Sequence, residues 1–280
     1  MPGSSTAWGA ALVAAAALLW STGGVAIKAA DAPALAIACY RSAIATCALA
    51  RVLRPRMAQW TPAGVVAAIG CAGCVASFVV ATKWTTAANA ILLQYSGIVW
   101  VLLLSPFVLH EPLRRRDLIA TPIALGGVAL LVGGDVARDR LAGDALAVFS
   151  GICCAAMRLA LRLDPASGEA AVTGGNALAA IALLPAAGLH PLDGRTTALV
   201  VFLGVVQVAG GYALFVRGVS RIAAAPAALV SMLEAVANPL WVYLVLGERP
   251  RGAALLGAAV VLGAIAWRTV DIDQTSRARD

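Results

Sequence analysis

Charge is scarce in this chain of 280 residues. Asp, Glu, Lys and Arg together make up 12%, while apolar residues reach 61% and mean hydropathy is +0.88. Ordinary soluble domains carry about 25% charged residues. A water-soluble fold of this length is thereby excluded, because it could not cover its surface; the apolar excess has to face lipid. Histidine is scarcer still. His110 and His190 stand apart from each other with no acidic cluster beside them, which argues against a membrane enzyme acting at one face of the bilayer. A Walker motif, a Rossmann fingerprint and a nucleophile elbow are all missing, so nothing supports ATP hydrolysis or covalent catalysis. Cys71 and Cys74 have redox or zinc-like spacing, but they lie inside an apolar run with no second pair of ligands. Together with Cys39, Cys47, Cys153 and Cys154 they read as small apolar packing residues. No cofactor and no metal are expected.

Long apolar runs are what the chain has in quantity. A helix needs roughly 20 apolar residues to cross the hydrocarbon. Ten candidates lie near 8–28, 33–50, 61–82, 86–108, 118–134, 141–161, 170–188, 197–216, 222–246 and 252–269. The breaks between them leave no room for a separate soluble domain. An outer-membrane barrel would need alternating segments of about 10 residues, and these runs are continuous. Backbone satisfaction in lipid then leaves a helical bundle. The first run has no Lys or Arg before it and is too long for a cleavable signal's apolar core.

Charge placement predicts the orientation. With both termini in the cytoplasm, 13 basic residues fall inside: Arg51, Arg54, Arg56, Arg114, Arg115, Arg116, Arg158, Arg162, Arg217, Arg221, Arg268, Arg277 and Arg279. Seven fall outside: Lys28, Lys83, Arg138, Arg140, Arg195, Arg249 and Arg251. Arg41 is left within a span. The bias favours cytoplasmic termini. The net charge of +7 is therefore mostly a topology signal and does not indicate nucleic-acid binding.

The chain also repeats itself. Residues 87–134 and 224–271 read alike at an offset of 137, which carries Glu111 in "HEPLRRR" to Glu248 in "GERPRGA" and Gly126 to Gly263 without a gap. This divides the chain into residues 1–137 and 138–280, with five spans in each. Five is odd, so the second copy enters the membrane from the other side. The expected fold is all-α and integral to the membrane, ten helices in two inverted-topology five-helix repeats, with the substrate site near the midplane.

"LLWSTGGVAIK" (18–28), followed by Pro33 and Arg41, resembles the opening of EamA-type members of the drug/metabolite transporter superfamily. So do "HEPL", "GERP", "LAGDALAVFSGICCAAMR" (141–158) and "FLGVVQVAGGYALFVRGVS" (202–220). The resemblance runs over essentially the whole chain. It implies two inverted halves and export of small metabolites, often amino acids, across a bacterial inner (cytoplasmic) membrane. The stretch "LLQYSGIVWVLLLSPFVLHE" is most like the bacterial amino-acid exporter branch. Where that family usually has Pro in the fourth and ninth spans, this chain has Ile98 and Ala235. No proline kink is expected there, and Pro239 can supply one a turn later.

Ionisable groups at membrane depth point to function. Glu234 sits mid-run, and Ser231, Asn238 and Trp241 share its helical face by spacing; the family also carries a Glu here. The seam reads as a cavity lining, or as interhelical packing. Arg41 lies about 13 Å from its span end at 1.5 Å per residue. It either pairs with Glu234 or caps carbonyls of a neighbouring broken helix. Trp20, Phe78, Gln94, Tyr95, Trp100, Met157, Gln207 and Tyr212 complete the candidate cavity. Such a seam suits a zwitterion with a varied side chain.

The leading expectation is a secondary transporter that exports amino acids or related metabolites by alternating access, with small-molecule substrate and membrane lipid as its partners. Proton coupling through Glu234 and facilitated diffusion stay open. A broad-specificity drug exporter is a variant of this expectation. A membrane enzyme and a non-transporting subunit are the rivals from other classes.

Overall fold

The computed structural model describes residues 2–55, 60–132, 140–246 and 252–277; a few side chains within these ranges, Asn238 among them, lie outside the described residues. Glu248 lies outside them too. The described chain is helical, with no strand. Seven segments are long and apolar enough to cross a membrane, beginning with Thr6–Ala29 and Ala34–Leu53 and ending with Gly194–Val219.

The first run is two helices, α1 (Pro2–Trp20) and α2 (Gly23–Ala29). The Ser21 and Thr22 hydroxyls donate to Leu18 O and Leu19 O at 2.6 and 2.7 Å. Such back-bonding competes with the helix ladder and bends it. Helices α3 (Ala34–Leu53) and α4 (Pro62–Trp84) follow, the latter opened by Thr61, whose hydroxyl accepts from Gly64 N, and by Pro62 at its first position. The fourth run divides into α5 (Ala87–Gln94) and α6 (Gly97–Val108), and α7 (Arg115–Val132) completes the N-terminal half.

In the C-terminal half, α8 (Leu141–Leu163) leads through a 3₁₀ turn (Pro165–Ser167) into α9 (Gly168–Ala187). The eighth run is α10 (Gly194–Phe202), a π-helical segment (Leu203–Gly210) and α11 (Gly211–Val219). The ninth divides into α12 (Ala224–Ser231) and α13 (Leu233–Leu246), and α14 (Gly252–Arg277) ends the described chain.

The helices pair in a two-fold pattern. Helix α4 packs on α8, and the exchange of each run with the run five further on turns this contact into α11 on α1, which also occurs. In the same way α5 and α6 on α8 correspond to α12 on α1, and α4 on α9 to the π segment on α3. The α3–α9 and α7–α14 contacts map onto themselves. In lipid there is no hydrophobic drive to bring helices together, so close contact rests on small residues. A Cβ at Gly70 would stand 2.8 Å from Cys153 O, and one at Gly218 would stand 2.8 Å from Gly9 O. These glycines serve the α4–α8 and α11–α1 contacts, which the exchange relates.

Candidate functional site

Two helix breaks create the site. At Tyr95–Ser96 and again at Met232 the ladder tightens to i−3 bonds: Ile98 N donates to Tyr95 O, and Ala235 N to Met232 O, both at 3.0 Å. These two bonds fall at the same repeat position, 137 apart. They occur without the proline whose absence at Ile98 and Ala235 argued against a kink there. The cause is the local 3₁₀ turn.

Each break frees the carbonyl whose i+4 donor has turned away, and the other half covers it. Ser231 O receives the Tyr95 hydroxyl at 3.1 Å. Gln94 O lies against Gly151 of α8, where a Cβ would come within 2.5 Å of it. The breaks therefore meet across the halves, and the single Tyr95 hydroxyl proton is shared with Glu234 Oε2, 3.3 Å away.

Beside them is a cavity of about 60 Å³, lined by Trp20, Arg41, Cys74, Val75, Phe78, Gln94, Cys154, Met157, Arg158, Gln207, Val208, Tyr212 and Glu234. Both halves contribute to its wall. At ~10–15 Å³ per water it has room for roughly four to six waters. The aromatic side is ordered by Trp20, whose ring stands 5.3 Å from Tyr212 in an edge arrangement and 5.2 Å from Phe215. Gln207 enters from the π-helical segment, a local widening of the ladder that often marks functional positions; its amide donates to Trp20 O at 3.4 Å. Gln94 donates to Ser150 Oγ at 2.7 Å, which in turn donates to Cys74 O at 3.0 Å.

The EamA-like transporter family matches this chain twice, over residues 7–133 and 141–269. The chain belongs to that family. A crystal structure superposes with a TM-score of 0.78 at 21% identity, covering 95% of this chain and 97% of the other; at that identity the likeness shows the fold. No curated protein matches.

Within this transporter, eight of the residues singled out from sequence share the cavity: Trp20, Arg41, Phe78, Gln94, Met157, Gln207, Tyr212 and Glu234. Arg41 is 2% exposed, and its Nη2 donates to Val75 O on α4 at 2.9 Å, with a long 3.5 Å contact from Nη1 to Gln207 Oε1. Neither expectation for Arg41 is met as stated: the carbonyl belongs to the continuous helix α4 and not to a broken one, and no ion pair joins Arg41 to Glu234 among the described residues.

Other expectations need correction. Trp100 is 43% exposed on the outside of α6, because the turn at Tyr95–Ser96 resets the helical phase ahead of it. The face proposed for Ser231, Glu234, Asn238 and Trp241 is split by the same kind of turn at Met232. Ser231 Oγ bonds Ala227 O within its own helix at 2.8 Å, and Trp241 Nε1 donates to Ser21 Oγ at 2.7 Å, bracing the first run at its bend. Neither lines the cavity. The Asn238 side chain lies outside the described residues. Arg158, counted with the cytoplasmic charges, is a cavity residue. Its guanidinium rests 5.8 Å above the Phe215 ring. Its position near the end of an apolar run disguised it as a loop charge; that Arg158 and Met157 are adjacent in a continuous helix was the available signal. Cys74 and Cys154 also face the cavity, whereas the other four cysteines do not.

At one end of the bundle a second constellation joins the halves. The chain turns at His110 (φ 55°) and presents Glu111. Its Oε1 pairs with Arg162 Nε at 2.8 Å, and its Oε2 accepts from Ala224 N at 3.0 Å. Ala224 opens α12, whose N-cap residue Ala223 has no side chain able to cap. Glu111 supplies that cap from the other half and complements the helix dipole.

Proposed function

We propose that this EamA-like transporter is a secondary transporter that exports small metabolites, foremost amino acids, from the cytoplasm by alternating access. The observation that carries the reading is the cavity walled by both halves at the meeting point of two helix breaks. Transporters built from repeats bind substrate at such discontinuities, and rocking of one half against the other exposes the site to each side in turn. The cavity's size and its mixture of polar anchors and aromatic wall favour an amino-acid-sized solute over a drug-sized one.

The same reading has ten spans, with residues 1–137 and 138–280 inverted about an axis in the membrane plane and both termini cytoplasmic, in a bacterial inner membrane. The two-fold helix pairing and the shared 3₁₀ position support the repeat. With Arg158 moved from loop to cavity, the basic excess on the cytoplasmic side keeps its direction.

Uptake of radiolabelled amino acids into proteoliposomes, with and without a pH gradient, tests the proposal; no uptake across the panel counts against it. Glu234 is the carboxylate on the cavity wall, so proton linkage would run through it. Under that linkage Glu234→Gln loses the response to the gradient. Gradient-driven transport that continues unchanged in the variant removes Glu234 as proton carrier.

A further inference from the structure

We propose that Arg158 and Arg41 form a carboxylate subsite inside the cavity, with Glu234 placed to receive an ammonium, so that the transported solute is a small zwitterion gripped at both charges. This rests on the reading of the cavity as the transport site and names the chemistry that the site selects.

The charged residues of the wall are Arg41, Arg158 and Glu234, two cations against one anion. Buried charges are ordinarily paired, because an unpaired one carries a large desolvation cost. Arg158 departs from this. Its Nε is sealed from solvent with no hydrogen-bond partner, its contact with Phe215 offers a π face and no acceptor, and it is through its place on the cavity wall that the residue can meet a ligand. Arg41 is held by a carbonyl, yet its own Nε is likewise buried without a partner. Glu234 shares the cavity with both arginines, yet no ion pair within 4.0 Å joins it to either among the described residues. Opposite charges held apart around a small void are the complement of a molecule that carries both.

The guanidinium group favours a carboxylate for the part that fills the gap. Its planar fork presents parallel N–H donors that match two carboxylate oxygens. Glu234 in the same small space repels a second negative charge on the ligand, which disfavours dianions. The excess of cation over anion in the wall disfavours purely cationic solutes. The Trp20–Tyr212 wall is left for an apolar side chain.

The test is equilibrium binding to the purified full-length protein, with L-alanine, alaninamide (no carboxylate) and propionate (no ammonium) as probes. Alanine is expected to bind most tightly, propionate less well, and alaninamide at least about tenfold more weakly than alanine, the loss of one hydrogen bond to a charged group. Arg158→Gln is expected to bring alanine down to the alaninamide level while leaving alaninamide unchanged, with Arg158→Lys between. If Arg158→Gln does not fold, the three probes on the unaltered protein decide alone. Equal binding of alanine and alaninamide, or alanine binding within twofold of normal in a folded Arg158→Gln protein, overturns the subsite while amino-acid transport can still stand. Failure of every amino acid in both binding and uptake, with uptake of a quaternary ammonium probe instead, removes the subsite and the amino-acid reading together.

Discussion

Arg158 and Arg162 stand one turn apart on α8 and face opposite circumstances. Arg162 has an anionic partner: Nε meets Glu111 at 2.8 Å, and Nη1 reaches Ser220 O at 3.5 Å. Arg158 has a ring beneath it and no acceptor on its buried Nε. An i, i+4 step puts both on one face of the helix. The same residue type on the same face therefore serves as a fastener at the end of the bundle and as an open ligand in its middle. The difference lies in what the partner helices bring. The turn after α6 delivers a carboxylate to Arg162, whereas Glu234, the carboxylate that shares the cavity wall with Arg158, forms no ion pair with it among the described residues.

The sharpest way to break this comparison is to neutralise each arginine in turn. Arg158→Gln is expected to lower substrate transport by about tenfold or more with little change in melting temperature, since its buried Nε has no hydrogen-bond partner and its packing on the Phe215 ring is the contact that the variant gives up. Arg162→Gln should reverse the pattern, with substrate affinity kept and stability reduced by about 1 kcal/mol for a partly exposed pair. Uptake kinetics and thermal unfolding measured on both variants decide. Two variants that lose stability equally would show Arg158 to be a second fastener.

The contrast also shows what was legible in the sequence. Apolar runs were readable because lipid demands them, and the repeat because Glu111 and Gly126 recur as Glu248 and Gly263 at one offset. Glu234 was readable as a carboxylate with no reason to be in an apolar run. Arg158 was not, because a basic residue near a run's end resembles a loop charge until the helix is seen to continue to Leu163. The turns at Tyr95–Ser96 and Met232 left no mark either. They are made by backbone bonds alone, and the one at Met232 splits the face on which helical spacing had placed Ser231 and Trp241 beside Glu234. The role of Glu111 as a cap across halves was invisible for a related reason: what it caps is 113 residues away in the chain.

The two halves can be compared at their capped helices as well. Thr86 opens α5 and accepts from Asn89 N at 3.0 Å, so that helix caps itself. Its repeat mate is Ala223, and α12 depends on Glu111. Ala223 already has the extended backbone of an N-cap (φ −61°, ψ 156°). Ala223→Thr is nevertheless expected to add no more than about 0.5 kcal/mol and to leave the effect of Glu111→Gln intact, because the position that matches Asn89 is Pro226, which has no N–H to donate. Exchanging the charges in a Glu111→Arg, Arg162→Glu protein should restore the ion pair and not the cap, because a guanidinium cannot accept from Ala224 N. Full recovery of stability in the exchanged protein would show that the cap contributes nothing. Thermal unfolding of the single and combined variants gives the coupling directly.

The smallest effect is expected two residues beyond Arg162, where Asp164 makes a tie of another kind. It accepts from the Thr61 hydroxyl at 2.5 Å and from Ser167 N at 3.4 Å, linking the start of α4 to the turn before α9. These bonds, that of Thr61 foremost, hold the Asp164 carboxyl below the usual carboxylate range. A carboxyl whose value is lower in the folded than in the unfolded chain stabilises the fold above the unfolded value, about 3.9. That contribution is lost as pH falls through the folded value. The group is only partly buried, so its share is a fraction of ~1 kcal/mol. Melting temperatures between pH 7 and pH 3 should therefore fall slightly more steeply at the acid end for the unaltered protein than for Asp164→Asn, with the variant a little less stable at neutral pH. An acid limb of the same slope in Asp164→Asn would mean that the Thr61 bond is replaced by water in solution and that the tie between α4 and α9 rests on packing alone.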